Sequence, residues 1–430
     1  MAVSEILEQF RKPCICGKQH TLVTDTVYIG HDASEKFGAY LTEKNMTNGV
    51  VIADTNTAPA AGEVLAEALG LPLLVISGSS HATEIVCAEV QERLAGMSPV
   101  PAFYIACGSG SLHDITRYIA CENDVPFLSY PTAASVDGFV SGVAAMTFRG
   151  TKVTYPSRSP IALFADPAVF ANAPERLTAS GVGDLLGKYI CLADWKISNI
   201  LTGEYICPAL IQIEEDVLAA MEAAAENSAS DKEAYVTRVM EGLVLSGLAI
   251  QLCGNSRPAS GAEHHLSHFW EMQCINPELP ALHGEQVGVG ALKMLSCYKE
   301  ARETFARPFV FRPETVFAEK TLAPIYGKCL SDILHENLPD GTYRSSSLAA
   351  LSRDILIEKQ VEVRAVLDAL PEEEHLYAVM KRCGCKTTLS ELTLPEDAEF
   401  LSKTLAFAPY VRNRLTFLKL LEARKAAERE

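Results

Sequence analysis

Three polar residues that lie far apart in the sequence have the chemistry of ligands for a divalent metal. Asp184 lies in the segment SGVGDLLGK, His264 in GAEHHLSHFW and His283 in LPALHGEQVG. A carboxylate and two imidazoles suit a divalent transition metal. Three protein ligands leave coordination positions open for a substrate oxygen, so this set predicts a catalytic rather than a structural metal site.

His268 offers an alternative to this ligand set. It follows His264 by four residues, so the two imidazoles would lie on one face of a predicted helix. A metal site built from two histidines of that helix competes with the set that includes His283. A single histidine is more often a hydrogen-bonded core or surface residue than a ligand. The residues alone leave this choice open.

A glycine-rich turn between a predicted strand and a predicted helix has the chemistry of a phosphate-binding site. Its segment reads FYIACGSGSLHDITR. Glycines let backbone N–H groups approach a pyrophosphate closely, and the following helix adds its positive dipole end. The alternative is a tight turn that needs glycine only for its dihedral angles. The candidate cofactor-binding residues of this turn are Gly108, Ser109, Gly110, Ser111 and Asp114.

Asp54 closes another predicted strand, VVIAD, and is a candidate ligand for adenosine ribose. A carboxylate at such a strand end accepts hydrogen bonds from ribose hydroxyls and repels a 2′-phosphate, which favours NAD over NADP. An Asp that caps the turn DTNT is the alternative. In the usual dinucleotide-binding order the glycine turn precedes the acid by about 20 residues, so the order here is reversed.

The hydroxyl-rich segment SYPTAASVDGFVSG follows a further predicted strand. Open α/β sheets bind ligands at the carboxyl ends of their strands, which favours ligand contact here. The alternative is a loop whose hydroxyls cap a local turn, although an Asp in a cleft would be costly without a partner. The candidates are Thr132, Ser135 and Ser141 for the cofactor and Asp137 for catalysis and substrate binding.

A loop before the second histidine segment, SRPASGAEHH, is the candidate for binding an anionic substrate. Arg257 and Ser260 are donors within it, and Lys188 follows Asp184 by one helical turn. The chain has a formal net charge of −17, so a small anion must be held by such a local cluster of donors. The alternative for Arg257 is a weak ion pair at the surface.

Two C-x-C pairs are weak indications of zinc. Cys14 and Cys16 precede His20, and Cys383 precedes Cys385. Structural zinc sites usually contain C-x(2 to 4)-C pairs, so the spacing favours ordinary thiols at both places.

The elements that must position these residues change in kind along the chain. The first third alternates apolar runs such as VVIA and FYIA with helical segments, which predicts a parallel sheet covered on both faces. Residues 139–156 predict a hairpin with Gly150 in its turn, at an edge of the sheet. Long stretches with helical period follow. We therefore expect an α/β dinucleotide-binding domain over residues 1–167 and a helical metal-binding and catalytic domain over residues 168–430.

Composition excludes several classes of function. With 54 acidic against 37 basic residues, the chain would repel nucleic acids and anionic membranes. No window approaches the ~20 uninterrupted apolar residues of a membrane span, and the first residues lack a signal peptide's apolar run. Thirteen scattered cysteines suit free thiols in a reducing compartment. We expect a cytoplasmic protein without nucleic-acid partners or membrane insertion.

Taken together, these segments closely resemble the bacterial sn-glycerol-1-phosphate dehydrogenases. These enzymes belong to the superfamily of iron-containing alcohol dehydrogenases, glycerol dehydrogenases and dehydroquinate synthases. The resemblance runs from VVIADTNT through GSGSLHDITR, YPTAASVDGFVS and GVGDLLGKYICLADWKIS to SRPASGAEHHLSH, LHGEQVG and APYVRNRLTFLKLLE. It implies a homodimer with a Rossmann-like α/β N-terminal domain and an all-α C-terminal domain, as in dehydroquinate synthase.

The resemblance also implies a ligand set and a reaction. The metal is held by Asp184, His264 and His283, without His268, and is zinc or nickel in this branch or iron elsewhere in the superfamily. The reaction is the NAD(P)-dependent interconversion of dihydroxyacetone phosphate and sn-glycerol 1-phosphate. Asp184 and His264 would lie at the substrate, Asp137 would hold a substrate hydroxyl or pass its proton outward, and Arg257 would anchor the phosphate.

Two departures from the family pattern bear on these expectations. The segment CICGKQH lies outside the core pattern, and GSGS replaces a more glycine-rich turn. The scaffold also supports other chemistry, so dehydrogenation of glycerol or another polyol, or a dehydroquinate-synthase-like cyclisation, are the alternative functions.

Overall fold

A computed structural model of the chain describes residues 3–78, 80–228, 230–272, 275–276 and 279–427, with the backbone alone at residues 151 and 152. The strands are β1 Thr26–Ile29, β2 Gly49–Asp54, β3 Leu73–Ile76, β4 Phe103–Gly108, β5 Phe127–Pro131, β6 Val143–Phe148, β7 Thr151–Pro156, β8 Ala162–Ala165, β9 Phe309–Phe311 and β10 Arg424–Ala426.

Helices account for most of the remaining described chain. The α-helices are α1 Val3–Gln9, α2 Ala33–Glu43, α3 Glu63–Leu69, α4 Glu84–Ala95, α5 Gly110–Glu122, α6 Pro167–Phe170, α7 Glu175–Leu186, α8 Lys188–Thr202, α9 Pro208–Glu226, α10 Lys232–Cys253, α11 Ala262–Glu271, α12 His283–Thr304, α13 Glu319–Tyr326, α14 Leu330–Asn337, α15 Arg353–Glu358, α16 Gln360–Asp368, α17 Glu373–Arg382, α18 Ala398–Phe407 and α19 Phe417–Ala423.

The chain divides into two compact units. Unit 1 comprises Met1–Leu185 and Pro208–Ser256, and unit 2 comprises Leu186–Cys207 and Arg257–Glu430. Unit 1 contains the parallel sheet, whereas the described residues of unit 2 form helices and the two-stranded antiparallel ribbon of β9 and β10. The predicted fold class is confirmed. The domain boundary expected near residue 168 stays a prediction; the last strand of the sheet, β8, ends just before it.

The sheet of unit 1 has six strands in the order β1-β8-β5-β4-β2-β3, and every pair is parallel. The runs VVIA and FYIA are continuously apolar because both faces of β2 and β4 are buried, each against a separate core cluster. From β2 the chain moves to β3 on one side and then returns to β4 on the other. This reversal of strand order at β2 and β4 marks the place where open α/β sheets bind ligands.

The hairpin of β6 and β7 is confirmed, but its expected position is wrong. Its two turn residues, Arg149 and Gly150, both have positive φ values of 51° and 80°, as a type I′ turn requires. The hairpin contacts α5 and α4 rather than an edge of the parallel sheet. Tyr118 of α5 meets Tyr155 of β7 edge to face, with 5.0 Å between ring centroids. Aromatic packing on the covering helix therefore sets its place.

Helices α9 and α10 form an antiparallel pair in unit 1. Asp231 caps α10 by accepting a hydrogen bond from the Ala234 N–H group, and a short connection from α9 precedes it. A Cβ atom at Gly242 of α10 would lie 3.3 Å from Val217 of α9, which fixes the register of the pair. By length and composition α10 could cross a membrane, but 78% of its most apolar window is buried in the protein.

Helices α11 and α12 are packed against each other in unit 2. A Cβ atom at Gly290 of α12 would lie 2.8 Å from the backbone oxygen of Glu263 in α11. Glycine is therefore needed for α12 to approach α11 this closely. Since α12 begins at His283 and α11 contains His264, this close packing brings the two histidine segments together.

Candidate functional site

The glycine-rich turn of unit 1 has the predicted place between a strand and a helix. β4 ends at Gly108, Ser109 is the N-cap residue, and α5 begins at Gly110. A Cβ atom at Gly110 would lie 2.8 Å from Val136, so the loop after β5 lies directly against the start of α5. Ser111 is exposed in the first turn. The turn thus presents the N-terminal end of a 13-residue helix at the carboxyl edge of the sheet.

His113 fixes this turn to the neighbouring strand, a role that sequence reasoning missed. Its Nδ1 lies 3.0 Å from the Ser109 carbonyl oxygen, and its Nε2 lies 2.7 Å from Ser129 Oγ in β5. A carbonyl only accepts, so Nδ1 carries the proton and Ser129 donates to Nε2. Burial lowers the pKa of His113 to about 3, with a further contribution from the charge of Arg117. The imidazole is therefore neutral at physiological pH.

This neutral imidazole predicts a loss of stability in acid. Between pH 6.5 and 3 the unfolded chain binds a proton at His113 and the folded chain does not, so the free energy of unfolding falls as the pH falls. By pH 4.5 the loss is about 2 to 3 kcal/mol. We expect His113→Gln, which does not titrate, to lack this part of the pH dependence in urea unfolding followed by circular dichroism. Parallel pH curves for the two proteins would contradict the prediction.

Asp54 has the turn-capping role that the sequence left open. Its Oδ1 accepts hydrogen bonds of 2.8 Å from the N–H groups of Asn56 and Thr57. Asp54 is half-buried at the end of β2. The register pairs Ile52 with Ala106, so the ends of β2 and β4 lie side by side and Asp54 comes level with Gly108. The acid and the glycine turn are neighbours across strands, which accounts for their reversed order in the sequence.

Arg117 of α5 organises the loop after β5 and was not among the candidates. Its guanidinium is fully buried and donates to the carbonyl oxygens of Gly138 and Val143, the latter at 2.6 Å. It also lies 3.2 Å from Ser141 Oγ and forms an ion pair of 3.1 Å with Asp114. Asp114 and Ser141, both predicted to bind the cofactor, thus have structural partners in this network.

The other candidates of this loop are buried beside it. Thr132 donates its N–H to the Gly108 carbonyl oxygen at 3.1 Å. The backbone oxygen of Ser135 accepts a hydrogen bond from Ser180 of α7 at 3.3 Å. The loop is therefore held both to the glycine-rich turn and to helix α7.

Asp137 and Asp184 meet in unit 1. The Asp137 N–H group donates to Asp184 Oδ2 at 3.0 Å, and Ser246 donates to Asp137 Oδ2 at 3.1 Å. Asp184 is fully buried, and Asp137 is 9% exposed. Cβ atoms at Gly181 and Gly247 would lie 2.2 Å and 2.5 Å from backbone oxygens of this loop, so glycine permits α7 and α10 to reach it. Two carboxyl groups are thus fixed on close-packed elements.

Three imidazoles gather in unit 2. The ring centroids of His264 and His283 are 5.1 Å apart, and those of His268 and His283 are 5.8 Å apart. His268, Glu271 and His283 each have a ligand atom within 4.8 Å of the others. The predicted convergence of His264 with His283 is present, and His268 stays close enough to be a rival ligand.

The carboxylate of Glu263 orients the His264 ring by contacting its Nδ1 atom. Glu263 Oε1 lies 2.7 Å from His264 Nδ1 and also accepts the Gly261 N–H at 2.8 Å. This contact places the imidazole proton on Nδ1 and leaves the lone pair of Nε2 for a metal. Asp194 of α8 holds the start of α11 by accepting the Ala262 N–H at 2.8 Å. Burial raises the pKa of Asp194 to about 7.

The buried Arg257 forms an ion pair with the half-buried Glu204, rather than the surface pair considered from the sequence. Its Nε donates to Glu204 Oε1 at 2.8 Å, and its Nη2 donates to Glu204 Oε2. Burial would raise the pKa of Glu204, but the nearby charge of Arg257 has the larger effect and the pKa of Glu204 is lowered.

The other two donors predicted near the substrate have backbone contacts in unit 2. Lys188 donates to the Ala259 carbonyl oxygen at 3.3 Å. Ser260 is buried, and Arg414 donates to its carbonyl oxygen at 2.5 Å.

A cluster of cations around His265 is the second feature that sequence reasoning missed. Burial, together with the charges of Arg414, Lys419, Arg412 and Arg257, lowers the pKa of His265 well below its ordinary value. Neither ring nitrogen of His265 has a hydrogen-bond partner among the described residues. The available signal was the late motif RNR, in which two arginines are separated by one residue.

Comparison with known proteins decides the family. A family model described as iron-containing alcohol dehydrogenase matches residues 28–174. The glycerol-1-phosphate dehydrogenase [NAD(P)+] of Halalkalibacterium halodurans is 36% identical over 97% of this chain and 98% of its own length. The enzyme of the same name from Bacillus licheniformis is 32% identical over 95% of this chain and 91% of its own length. The chain belongs to the glycerol-1-phosphate dehydrogenase family.

Solved structures confirm the fold of this family member. A probable glycerol dehydrogenase from Sinorhizobium meliloti has a TM-score of 0.60 at 16% identity, covering 93% of this chain and 97% of its own. A sulfoacetaldehyde reductase from Bifidobacterium kashiwanohense in complex with NAD+ has a TM-score of 0.59 at 16% identity, covering 94% and 97%. At these identities the likeness concerns the fold alone.

Proposed function

We propose that this protein interconverts dihydroxyacetone phosphate and sn-glycerol 1-phosphate by hydride transfer with NAD(H), using one divalent metal per subunit. The observation that carries the proposal is the pairing of His264 and His283, with the Glu263 carboxylate behind His264. The choice of substrate is supported by relatives that match over nearly their whole length and are named glycerol-1-phosphate dehydrogenase [NAD(P)+]. We further propose that the protein is a homodimer, as the family resemblance implies, and that it is cytoplasmic.

The proposed metal ligands are Asp184, His264 and His283. The fit rests on donor chemistry, since a buried carboxylate and two imidazoles suit zinc, nickel or iron. It also rests on Glu263, because histidines that bind metals usually donate their second N–H group to a carboxylate or carbonyl. When bound, the cation supplies Lewis-acid polarisation of the substrate's reacting oxygen.

Asp137 is proposed to act on the substrate's hydroxyl proton. Its backbone N–H bonds to Asp184, and its Oδ2 accepts a hydrogen bond from Ser246. These contacts fix the direction of the carboxyl group, which is proposed to hold a substrate hydroxyl or carry its proton outward. Asp184 and His264 are proposed to contact the substrate as well.

The proposed phosphate anchor combines Arg257 with Arg412 and Arg414. Arg257 alone is shared with Glu204, so a dianionic phosphate needs more positive charge than this residue supplies. The arginines around the neutral His265 provide that charge within one unit. Planar guanidinium groups bind phosphate through paired hydrogen bonds, and an anchored phosphate orients the reacting carbon.

The proposed dinucleotide site lies at the ends of β2 and β4. The pyrophosphate lies on the turn of Gly108, Ser109, Gly110 and Ser111, at the N-terminal end of α5. Asp54, level with this turn, binds the adenosine ribose and favours NAD over NADP because its charge repels a 2′-phosphate. Thr132, Ser135 and Ser141 line the loop beside the turn.

Replacing Glu263 by glutamine tests whether the Glu263 carboxylate strengthens His264 as a metal ligand. The amide retains an acceptor for His264 Nδ1 but removes the negative charge that makes the imidazole a stronger ligand. We expect metal affinity to fall about 10- to 100-fold, as is typical for such outer partners. Competition with a chelator measures this affinity, and NADH binding serves as the control. An unchanged metal affinity would show that Glu263 does not strengthen His264 as a metal ligand.

The activity itself is tested by NADH oxidation with dihydroxyacetone phosphate, followed by chiral analysis of the product. The proposal predicts net NADH consumption and sn-glycerol 1-phosphate. Glycerol 3-phosphate as product, or faster oxidation of glycerol, would favour a different polyol dehydrogenase. Turnover of a cyclisation substrate without net NADH change would indicate a dehydroquinate-synthase-like enzyme. Comparing NADH with NADPH tests the role of Asp54.

A further inference from the structure

We propose that Cys14, Cys16 and His20, with Cys207 as the fourth ligand, bind a structural zinc ion that is separate from the catalytic metal. The ligand atoms of Cys14, Cys16 and His20 all lie within 4.8 Å of one another in unit 1. Three thiolates and one imidazole form a closed tetrahedral set, which is typical of structural zinc. The proposal does not depend on the proposed reaction.

The distance between Cys16 and His20 fits a shared metal. Cys16 Sγ and His20 Nε2 are 3.4 Å apart. Zinc bonds of about 2.3 Å to sulfur and about 2.0 to 2.1 Å to nitrogen, at a tetrahedral angle, separate the two ligand atoms by about 3.5 Å. The pair therefore needs almost no rearrangement to bind one ion.

His20 has the tautomer that a zinc ligand requires. Its Nδ1 lies 2.6 Å from the carbonyl oxygen of Leu252, close to the C-terminal end of α10. Because the carbonyl can only accept, Nδ1 carries the proton and the lone pair of Nε2 points towards Cys16. A histidine that binds a metal through one nitrogen and donates to a backbone carbonyl through the other is the usual arrangement. His20 is 7% exposed, so its ring is held in this orientation.

The turn around Cys16 is folded to present sulfur. The Gly17 N–H donates to the Cys14 carbonyl oxygen at 2.9 Å, and the Cys14 N–H donates to the Lys18 carbonyl oxygen at 3.2 Å. Gly17 has a φ of +82°, which side chains other than glycine rarely adopt. The Lys18 N–H then lies 3.5 Å from Cys16 Sγ. A backbone donor aimed at sulfur stabilises the thiolate, the form that binds metal.

The covalent connection of Cys207 to the antiparallel helix pair of unit 1 makes this residue the proposed fourth ligand. The chain returns to unit 1 at Pro208, the first residue of α9, so Cys207 is joined covalently to that helix. Val217 lies opposite Gly242. Following this register to Pro208 leads to Gln251, which is next to Leu252, the residue whose carbonyl holds His20. Cys207 is fully buried and precedes a helix N-terminus, where the positive dipole end favours a thiolate.

Spacing alone concealed this site. A single residue separates Cys14 from Cys16, whereas structural zinc pairs usually have two to four. Cys207 comes almost two hundred positions later in the sequence, so no local pattern includes it. Cys383 and Cys385 have the same spacing, and burial together with the nearby Cys383 and Glu285 raises the pKa of Cys385 well above its ordinary value. That second pair keeps the interpretation of ordinary thiols.

Cobalt substitution tests the site in the whole protein under reducing conditions. The proposed catalytic ligands contain no thiolate, so a thiolate-to-cobalt charge-transfer band reports metal bound by cysteine, and the variants below decide which cysteines bind it. We expect the band in cobalt-loaded wild-type protein, together with one more equivalent of metal per chain than the catalytic site requires. A wild-type protein that binds cobalt without this band would overturn the proposal, whatever the variants do.

Two variants locate the ion. Cys16→Ser and His20→Gln are each expected to lose one equivalent of metal per chain and to lose or strongly weaken the band. Cys383→Ser, which removes a half-buried thiol of the other pair, is the matched control and retains both. Retention of the full metal content and the band in Cys16→Ser would contradict the assignment. NADH turnover with dihydroxyacetone phosphate is measured in parallel, so failure of the proposed reaction is recognised separately.

Discussion

The His283→Ala variant is expected to lose at least about 10³-fold in turnover with dihydroxyacetone phosphate and to release the catalytic cation. His283 begins α12, and its ring lies against that of His264. Removing one of three protein ligands weakens binding of the cation. Without the cation the transition state loses several kcal/mol of charge stabilisation, and each 1.36 kcal/mol lowers the rate tenfold. Steady-state kinetics and metal analysis measure the loss.

His268→Ala is the matched control for this variant. His268 lies at a similar distance from His283 and also shares a possible ligand group with Glu271. We expect it to keep its catalytic metal and most of its activity. The dissociation constant for NADH should stay unchanged in both variants, because the proposed dinucleotide residues belong to unit 1. Loss of metal in both His268→Ala and His283→Ala, with the metal retained in His264→Ala, would transfer the site to the rival set of His268, Glu271 and His283.

Gly181→Ala is expected to lower turnover about 100-fold. A Cβ atom there would lie 2.2 Å from the backbone oxygen of Ala134, which cannot move aside as a flexible side chain can. Helix α7 must then shift, and it moves Asp184 by up to about 1 Å, a displacement that typically costs about 10²-fold in rate. We also expect a loss of about 1 to 3 kcal/mol in unfolding free energy from the forced contact.

Gly38→Ala separates this effect from the general effect of alanine in a helix. Gly38 also lies within a helix, α2, and a Cβ atom there would lie 3.7 Å from the side chain of Leu69, an ordinary contact. We expect unchanged kinetics and up to about 1 kcal/mol of added stability. If Gly181→Ala also retained wild-type turnover, the position of Asp184 would not matter for the reaction.

Much of the fold was predictable because the sheet is buried on both faces. The runs VVIA and FYIA alternate between two cores, so every position is apolar and the strands are recognised without an alternating pattern. The hairpin was recognised from Gly150, but its place was wrong, since it depends on ring contacts between Tyr118 and Tyr155. Such contacts between distant segments leave no local pattern in the sequence.

Some residues of the proposed site could be predicted from the sequence, whereas others could not. Two histidines and a carboxylate indicated metal chemistry by their donor atoms, and the family resemblance chose among the candidate histidines. Arg117 and His113 gave no signal, because their function is to bind carbonyl oxygens of loops that only the fold brings near. Arg257 was expected to be available for phosphate, but its pairing depends on Glu204, which lies 53 positions earlier. Partners of buried charges are set by packing.

Anomalous diffraction from crystals of the metal-loaded enzyme, recorded at the metal's absorption edge, tests the central claim most directly. We predict one strong peak at the histidine cluster, with an Asp184 oxygen, His264 Nε2 and a His283 nitrogen each about 2.0 to 2.2 Å away. A peak bound instead by His268 and Glu271, or one without Asp184 among its ligands, would contradict the account.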